Sequence, residues 1–169
     1  MASCSSRYEQ QPLPTSSKAR LAKLSGLGAD QTIALGQSDE ALTEAFRSVV
    51  PNVNIVLDYL WGHSAELLLA SAKGRGGLGG EPRIRFIQIG SASGGTITLD
   101  AQLLRSTGIE LLGSGLGSLS GAAIVEALTT MFNAAATTGL KIETAAVPLS
   151  DVASAWSSAE GGRRTVFTL

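Results

Sequence analysis

The sequence predicts an α/β fold built on an open parallel sheet, and three stretches carry that expectation. The first is Arg83 to Gly95, RIRFIQIGSASGG. Here Ile84, Phe86, Ile87 and Ile89 form a short apolar run that Gly90 ends. A shorter counterpart, Val53 to Asp58, runs into Tyr59-Leu60-Trp61-Gly62. A third, Ile109 to Leu112, runs into GSGLGS. A strand that is apolar on both faces and ends in a loop of small residues reads as an interior strand, with ligands bound at its carboxyl end. Three such stretches predict three buried strands sharing one crevice.

Composition supports this class and excludes others. The chain has 169 residues, enough for one domain or slightly more, and its 44% hydrophobic content can supply a core. Only 16% is charged, with a formal net charge of −1 and no basic block, so nucleic acid is not an expected partner. Cys4 is the sole cysteine and His63 the sole histidine. Intrachain disulfides and His/Cys zinc cages are thereby excluded. No apolar run reaches the roughly 20 residues of a membrane span, and residues 1 to 17 lack a signal-peptide core. A reducing cytoplasm is the expected compartment, with no membrane partner.

In chain order, residues 1–14 read as a disordered leader rich in Ser, Gln and Pro. Lys18 to Ser25 reads as a short helix, capped by Ser16 or Ser17 and ended by Gly26 or Gly28. Gln31 to Leu35 reads as a short strand. Asp39 to Val50 follows as a helix with Leu42, Ala45, Phe46 and Val49 on one stripe, broken by Pro51. After the strand Val53 to Asp58 comes an apolar helix, Ser64 to Lys73. A flexible link, GRGGLGGEP, leads into the central strand. Leu99 to Ser106 reads as a helical crossover. Ser120 to Thr138 is the longest helix, with Ile124, Leu128, Met131 and Phe132 in register and Gly139 closing it. A strand Ile142 to Val147, a helix capped by Ser150 through Trp156, and a strand Arg164 to Thr168 complete the chain.

Gly74 to Gly79 matches G-x-G-x-x-G, but a helix precedes it and a strand follows. A dinucleotide fingerprint needs the reverse, so that a helix N-terminus faces the pyrophosphate. The segment therefore reads as a linker. Gly113-Ser114-Gly115-Leu116-Gly117 has the right context and the wrong spacing, and Glu143 stands too late, inside a strand, to hold a ribose. It reads as a loop that lets the backbone approach a neighbour or ligand. Asp58, at a strand end, suits general acid–base work or, more commonly, bonding of loop amides. His63, with no sequence neighbour to activate it, reads as a solvated loop residue. Ser17 and Lys18 at a helix start suit an anion or serve as a plain cap with a surface lysine.

From Thr15 onward, TSSKARLAKLSGLGAD, VNIVLDYLWG, RIRFIQIGSASGG, IELLGSGLGS, AAVPLSDVASAW and GRRTVF, in this order and spacing, resemble the medium-chain dehydrogenase/reductase superfamily. The resemblance is to its zinc-free, quinone-oxidoreductase-like branch, and to the C-terminal half only. It implies an α/β fold: a partial doubly wound, Rossmann-like parallel sheet lacking its first two strands, followed by C-terminal remnants of the catalytic lobe. Residues 15–140 would then be a partial nucleotide-binding domain and 141–169 a segment of the catalytic lobe. The implied activity is that of an NAD(P)H-dependent oxidoreductase, a quinone or enone reductase or an alcohol dehydrogenase-like enzyme, acting without metal on a small carbonyl or quinone substrate. The alternative is a catalytically inactive fragment that binds or dimerises, as a homo-oligomer joined through sheet edges.

The same resemblance implies the cofactor contacts. Lys18, with Ser17 beside it, would meet the 2′-phosphate of NADPH. Tyr59, after Asp58, would face the cofactor, and Ile89, Gly90, Ser91 and Ala92 would lie by the nicotinamide. Leu35 stands where related reductases often carry a tyrosine near the adenine. The absence of a Gly-rich pyrophosphate turn implies weakened or lost NADPH binding. No catalytic residue is implied.

Overall fold

The computed structural model describes residues 16–73, 83–139, 142, 144–157 and 164–169, with only the backbone described for 16–20. The expected leader with Cys4, the expected linker Gly74 to Gly80, Glu143, and the side chains of Ser17 and Lys18 lie outside the described residues. The chain divides into two units, Met1–Ser118 and Leu119–Leu169.

The first unit contains helix α1 (Ser16–Gly26), α2 (Asp39–Val49), a 3-10 turn (Val50–Asn52), strand β1 (Ile55–Asp58), α3 (Gly62–Ser71), β2 (Ile84–Gln88), α4 (Ala101–Ser106) and β3 (Ile109–Gly113). The strands form a parallel sheet in the order β1-β2-β3. Val56 pairs with Phe86, and Phe86 with Leu111. Parallel strands in sequence order, joined by helices, are the βαβ arrangement of a partial Rossmann-like fold.

Local chemistry sets the helix starts. The Ser38 hydroxyl accepts the Ala41 N–H, and Asp39 and Glu40 occupy the positive first turn of α2. The Asp100 carboxylate accepts the Gln102 N–H at 2.8 Å and starts α4 in the same way. Pro51 sits in the 3-10 turn that ends the α2 segment.

The core lies on one face of the sheet. Leu42, Phe46 and Val50 pack with Ala72 and Ile84, and Ala65 and Leu69 pack with Phe86 and Leu103. Val56 and Ile109 join both clusters. The buried Ser71 hydroxyl donates to Leu67 O at 2.7 Å and reaches Thr43 O at 3.4 Å, linking α3 to α2 without a bulky side chain between them.

Two expectations need correction here. The strands are not all buried: Ile84 and Phe86 of β2 are, Phe86 at 1% exposure, whereas Arg85 between them is exposed and β1 and β3 hold no buried residue. Register aligns Leu57 of β1, Ile87 of β2 and Leu112 of β3 on the opposite face. Leu57 is 58% exposed and Ile55 57%, because the helices that bury Val56 and Phe86 leave this face uncovered among the described residues. Apolar patterning reports where a strand could be covered, not whether it is. Gln31 to Leu35 forms no strand. The segment does not pair with the β1 edge of the sheet, and Ile33 packs instead on the α2 cluster.

The second unit contains α5 (Gly121–Thr138), β4 (Thr144–Pro148), a 3-10 turn (Leu149–Asp151), α6 (Val152–Ser157) and β5 (Arg164–Thr168), with β4 and β5 parallel. The Ser120 hydroxyl accepts the Ala123 N–H at 3.2 Å at the start of α5. Gly139, left-handed at φ 65°, ends it by donating its N–H to Ala135 O. The stripe that includes Leu128, Met131 and Phe132 is exposed, not buried. Ser150 does not cap α6. It lies inside the 3-10 turn, where its hydroxyl donates to the Asp151 carboxylate at 3.1 Å. The division between units falls before α5. No helix among the described residues is long and apolar enough to cross a membrane.

The one-sided core predicts unequal costs for truncating two large apolar side chains. Phe86→Ala should destabilise by about 3–5 kcal/mol, whereas Leu57→Ala, on the open face, should cost roughly 0.5 kcal/mol or less. Urea unfolding followed by circular dichroism measures both. Equal losses would contradict the placement of the core.

Candidate functional site

The site is built where the loop after β1 meets the loop after β2, at the carboxyl ends of the strands. Four backbone hydrogen bonds join them. The N–H groups of Ile89 and Gly90 donate to Asp58 O at 2.7 and 3.2 Å, that of Ala92 to Tyr59 O at 3.3 Å, and that of Ser93 to Leu60 O at 2.8 Å. So close an approach leaves no room for side chains at two positions. A Cβ on Gly90 would lie 2.8 Å from Tyr59 O, and a Cβ on Gly62 would lie 2.8 Å from Ser93 O. Gly62 also has φ +64°, which L side chains rarely adopt.

The Asp58 carboxylate shapes the first loop. It accepts the Leu60 N–H at 3.0 Å and the Trp61 N–H at 3.1 Å. Trp61 takes φ 56° and ψ −156°, a region otherwise left to glycine. Holding it there costs on the order of 1–3 kcal/mol, which the carboxylate bonds and the aromatic contact offset. That contact is edge-to-face with Phe86, centroids 6.1 Å apart. The strained backbone thus fixes the indole beside the sheet end.

A cavity of about 440 Å³ opens there, lined by Trp61, Gln88, Ser91, Gly95, Leu111, Leu112 and Gly113. This is within the size range of small-molecule sites. The walls are apolar and aromatic. Gln88 supplies a carboxamide, one N–H of which donates to Gly90 O at 3.0 Å, and Ser91 supplies a hydroxyl. A second cavity, about 530 Å³, is lined by Asp30, Gln31, Ile33, Val49, Asn52 and Val53. It is the larger, but it lies by the start of β1, away from the carboxyl ends where α/β sheets bind ligands.

Of the sequence-selected residues, Ser91 lines the first cavity. Tyr59, Ile89, Gly90 and Ala92 belong to the two hydrogen-bonded loops that frame it, and Tyr59 is 59% exposed. Gly90 packs on the Tyr59 carbonyl, so its lack of a side chain serves loop contact. Lys18 and Ser17 fall in α1. Leu35 is partly exposed outside the sheet. Asp58 bonds loop amides, as the more common reading has it. Gly113, Gly115 and Gly117 do not admit a neighbour: a Cβ on any of them would meet open space. The sequence reading missed Trp61, Gln88 and Gly95. A glutamine ending the run IRFIQ was a signal for one of them, whereas the positive φ of Trp61 leaves no mark in composition.

His63 requires correction. It is solvent-exposed, as expected, but it stands in the first turn of α3 and not in a loop, between two acids. Its Nε2 lies 2.9 Å from Asp39 Oδ1 and its Nδ1 3.5 Å from Glu66 Oε2. The Asp39 hydrogen bond, aided by Glu66 and opposed by slight burial, raises its pKa above the ordinary 6.5. The Thr98 N–H donating to Glu66 Oε1 at 2.6 Å lowers the glutamate below its ordinary value, with His63 adding to the effect. The acids meet opposite ring nitrogens, so the three groups do not converge on one point. Among the described residues, no group of three or more His, Cys, Asp or Glu side chains is arranged to hold a metal ion.

The α/β class is thus that of a partial Rossmann-like fold with its cavity at the carboxyl ends of parallel strands. No family model and no curated protein matches the sequence. Among solved structures, the chain is similar to "Crystal structure of CurK enoyl reductase", with 18% identity and a TM-score of 0.55. The match covers 89% of this chain and 44% of that one, so the chain spans less than half of the enzyme's length. A likeness at this identity establishes fold.

The two glycines give a discriminating test of loop contact. Gly62→Ala should destabilise by roughly 1–3 kcal/mol, through strain at positive φ and the clash with Ser93 O. Gly115→Ala, in open space, should change stability by about 0.5 kcal/mol or less. Thermal unfolding of both variants decides it, and a neutral Gly62→Ala would refute the close contact of Gly62 with the Ser93 carbonyl.

Proposed function

We propose that the chain is part of a nicotinamide-nucleotide-dependent oxidoreductase of the medium-chain dehydrogenase/reductase kind, in its zinc-independent, quinone- or enone-reductase-like branch. The observation that carries this reading is the cavity beside Trp61, where an aromatic wall, a glutamine amide and a serine hydroxyl meet at the carboxyl ends of parallel strands. The nucleotide supplies a hydride when bound. The chain's residues bind and orient the ring: Trp61, Leu111 and Leu112 by apolar contact, Gln88 and Ser91 by hydrogen bonding to its carboxamide. Positioning of this kind accounts for much of hydride-transfer catalysis, because little proton transfer is needed. Tyr59, Ile89, Gly90 and Ala92 hold the framing loops, and Lys18 with Ser17 meets the 2′-phosphate. A small carbonyl or quinone is the proposed acceptor.

A second reading, a module that binds or dimerises without turnover, is favoured by the exposed apolar face of Ile55, Leu57 and Leu112. Parallel sheets are ordinarily covered on both faces, so this surface suits a polypeptide partner or a second copy.

Titration of the full chain with NADPH, followed by tryptophan quenching, separates the readings. The nucleotide reading predicts saturable binding with a Kd of about 0.1–1 mM, or 4–5.5 kcal/mol, and its loss in Trp61→Ala when the fluorescence of NADPH itself is followed. Lys18→Ala should weaken NADPH more than NADH, because only NADPH carries the 2′-phosphate. Absence of saturation, with concentration-dependent dimerisation in light scattering, would favour the second reading.

A further inference from the structure

The loop that forms one wall of the cavity runs from Gly90 to Leu99 and is fixed at both ends by different means. Its first half hangs from the carbonyls of Asp58, Tyr59 and Leu60. Its second half is fixed by Ile97 and Leu99, partly buried against the core, and by the Thr98 N–H on Glu66. Glu66 is itself held through its other oxygen by His63, and His63 is held by Asp39 at the start of α2. A continuous polar chain therefore runs from α2 through α3 to a point three residues beyond Gly95, which lines the cavity.

We propose that Asp39, His63 and Glu66 form a positioning relay that sets the placement of the Gly95–Thr98 segment, and that it grips more firmly when the imidazole is protonated. The neutral ring donates from one nitrogen only, so it can satisfy one carboxylate; the imidazolium donates to both. The charged groups facing the ring are Asp39 from α2 and Glu66 from its own helix. The 96–99 segment brings the Thr98 amide and no charge, and Asp100 beyond it is paired with Lys73. All three relay residues are partly exposed, so each contact is individually weak. The relay tunes a loop already anchored by Ile97 and Leu99.

The pH window has two limits. His63 gains protons on folding, so its contribution is complete below about its ordinary 6.5 and is lost as pH rises through the higher folded value. Glu66 shifts the other way. Its contribution is present above its ordinary 4.5 and is lost as pH falls through the lower folded value. The grip is therefore strongest in mildly acidic solution and relaxes at alkaline pH. Its consequence for ligand affinity rests on the nucleotide reading, but the relay itself does not.

Hydrogen exchange at the Thr98 amide of the full chain, corrected for intrinsic rates, reads the relay without any ligand. Protection should fall roughly threefold to tenfold between about pH 6 and about pH 8.5. Glu66→Gln keeps an oxygen for the Thr98 N–H but removes the charge, so protection should persist while its pH dependence is lost. Glu66→Ala should lose both, and His63→Gln should lose the pH dependence. Unchanged pH dependence in His63→Gln, or Thr98 protection unaffected by Glu66→Ala, would overturn the relay. NADPH titration over the same pH range is the second arm. Affinity that falls with protection supports the relay's role at the cavity. Protection that responds as described without any NADPH binding supports the relay and overturns the nucleotide reading.

Discussion

The close backbone contact between the loops that end β1 and β2 is the constraint on which the site depends. Parallel neighbours β1 and β2 deliver their ends side by side, and Asp58 O accepts both Ile89 N–H and Gly90 N–H. That pair of hydrogen bonds draws the loops together closely enough that Gly62 and Gly90 must lack side chains. The same crowding directs the chain through a positive-φ tryptophan, which the Asp58 carboxylate stabilises from the other side. Core, turn and cavity are thereby coupled: Phe86, the most deeply buried large residue, also supports the indole that lines the cavity.

This coupling gives the one-sided sheet a division of labour. One face is closed by α2 and α3 and supplies stability through Leu42, Phe46, Leu69 and Phe86. The carboxyl end is shaped by polar backbone contacts that are specific and individually modest. The other face, with Ile55 and Leu57, adds apolar surface that the described helices do not cover. Such a surface has a cost in solubility unless something covers it.

Much of the architecture was legible in the sequence because it depends on local pattern. The runs VNIVLD, RIRFIQ and IELL gave β1, β2 and β3 to within a residue or two, and Gly139 marked the end of α5 by capping chemistry. Burial was less legible. Ile55 and Leu57 have the same composition as buried strand residues, and only the placement of other elements distinguishes them. Gln31 to Leu35 failed for a similar reason, since a strand needs a partner as well as a pattern. At the site, Asp58 was readable as a polar residue at a strand end, and Ser91 only through the family resemblance. His63 was not, because Asp39 lies 24 residues away in sequence and only the packing of α2 on α3 brings the two together. Trp61 was unreadable because its strain arises from what lies on either side of it.

The most direct measurement is a nuclear magnetic resonance titration of the full, ¹⁵N-labelled chain with NADPH. The cavity at the strand ends predicts that shifts concentrate on the Trp61 indole and backbone, the Gln88 side-chain amide, and the amides of Ser91, Gly95 and Gly113. Shifts confined to Asp30–Val53, where the second cavity lies, or the absence of any saturable shift at Trp61 and Gln88, would contradict it.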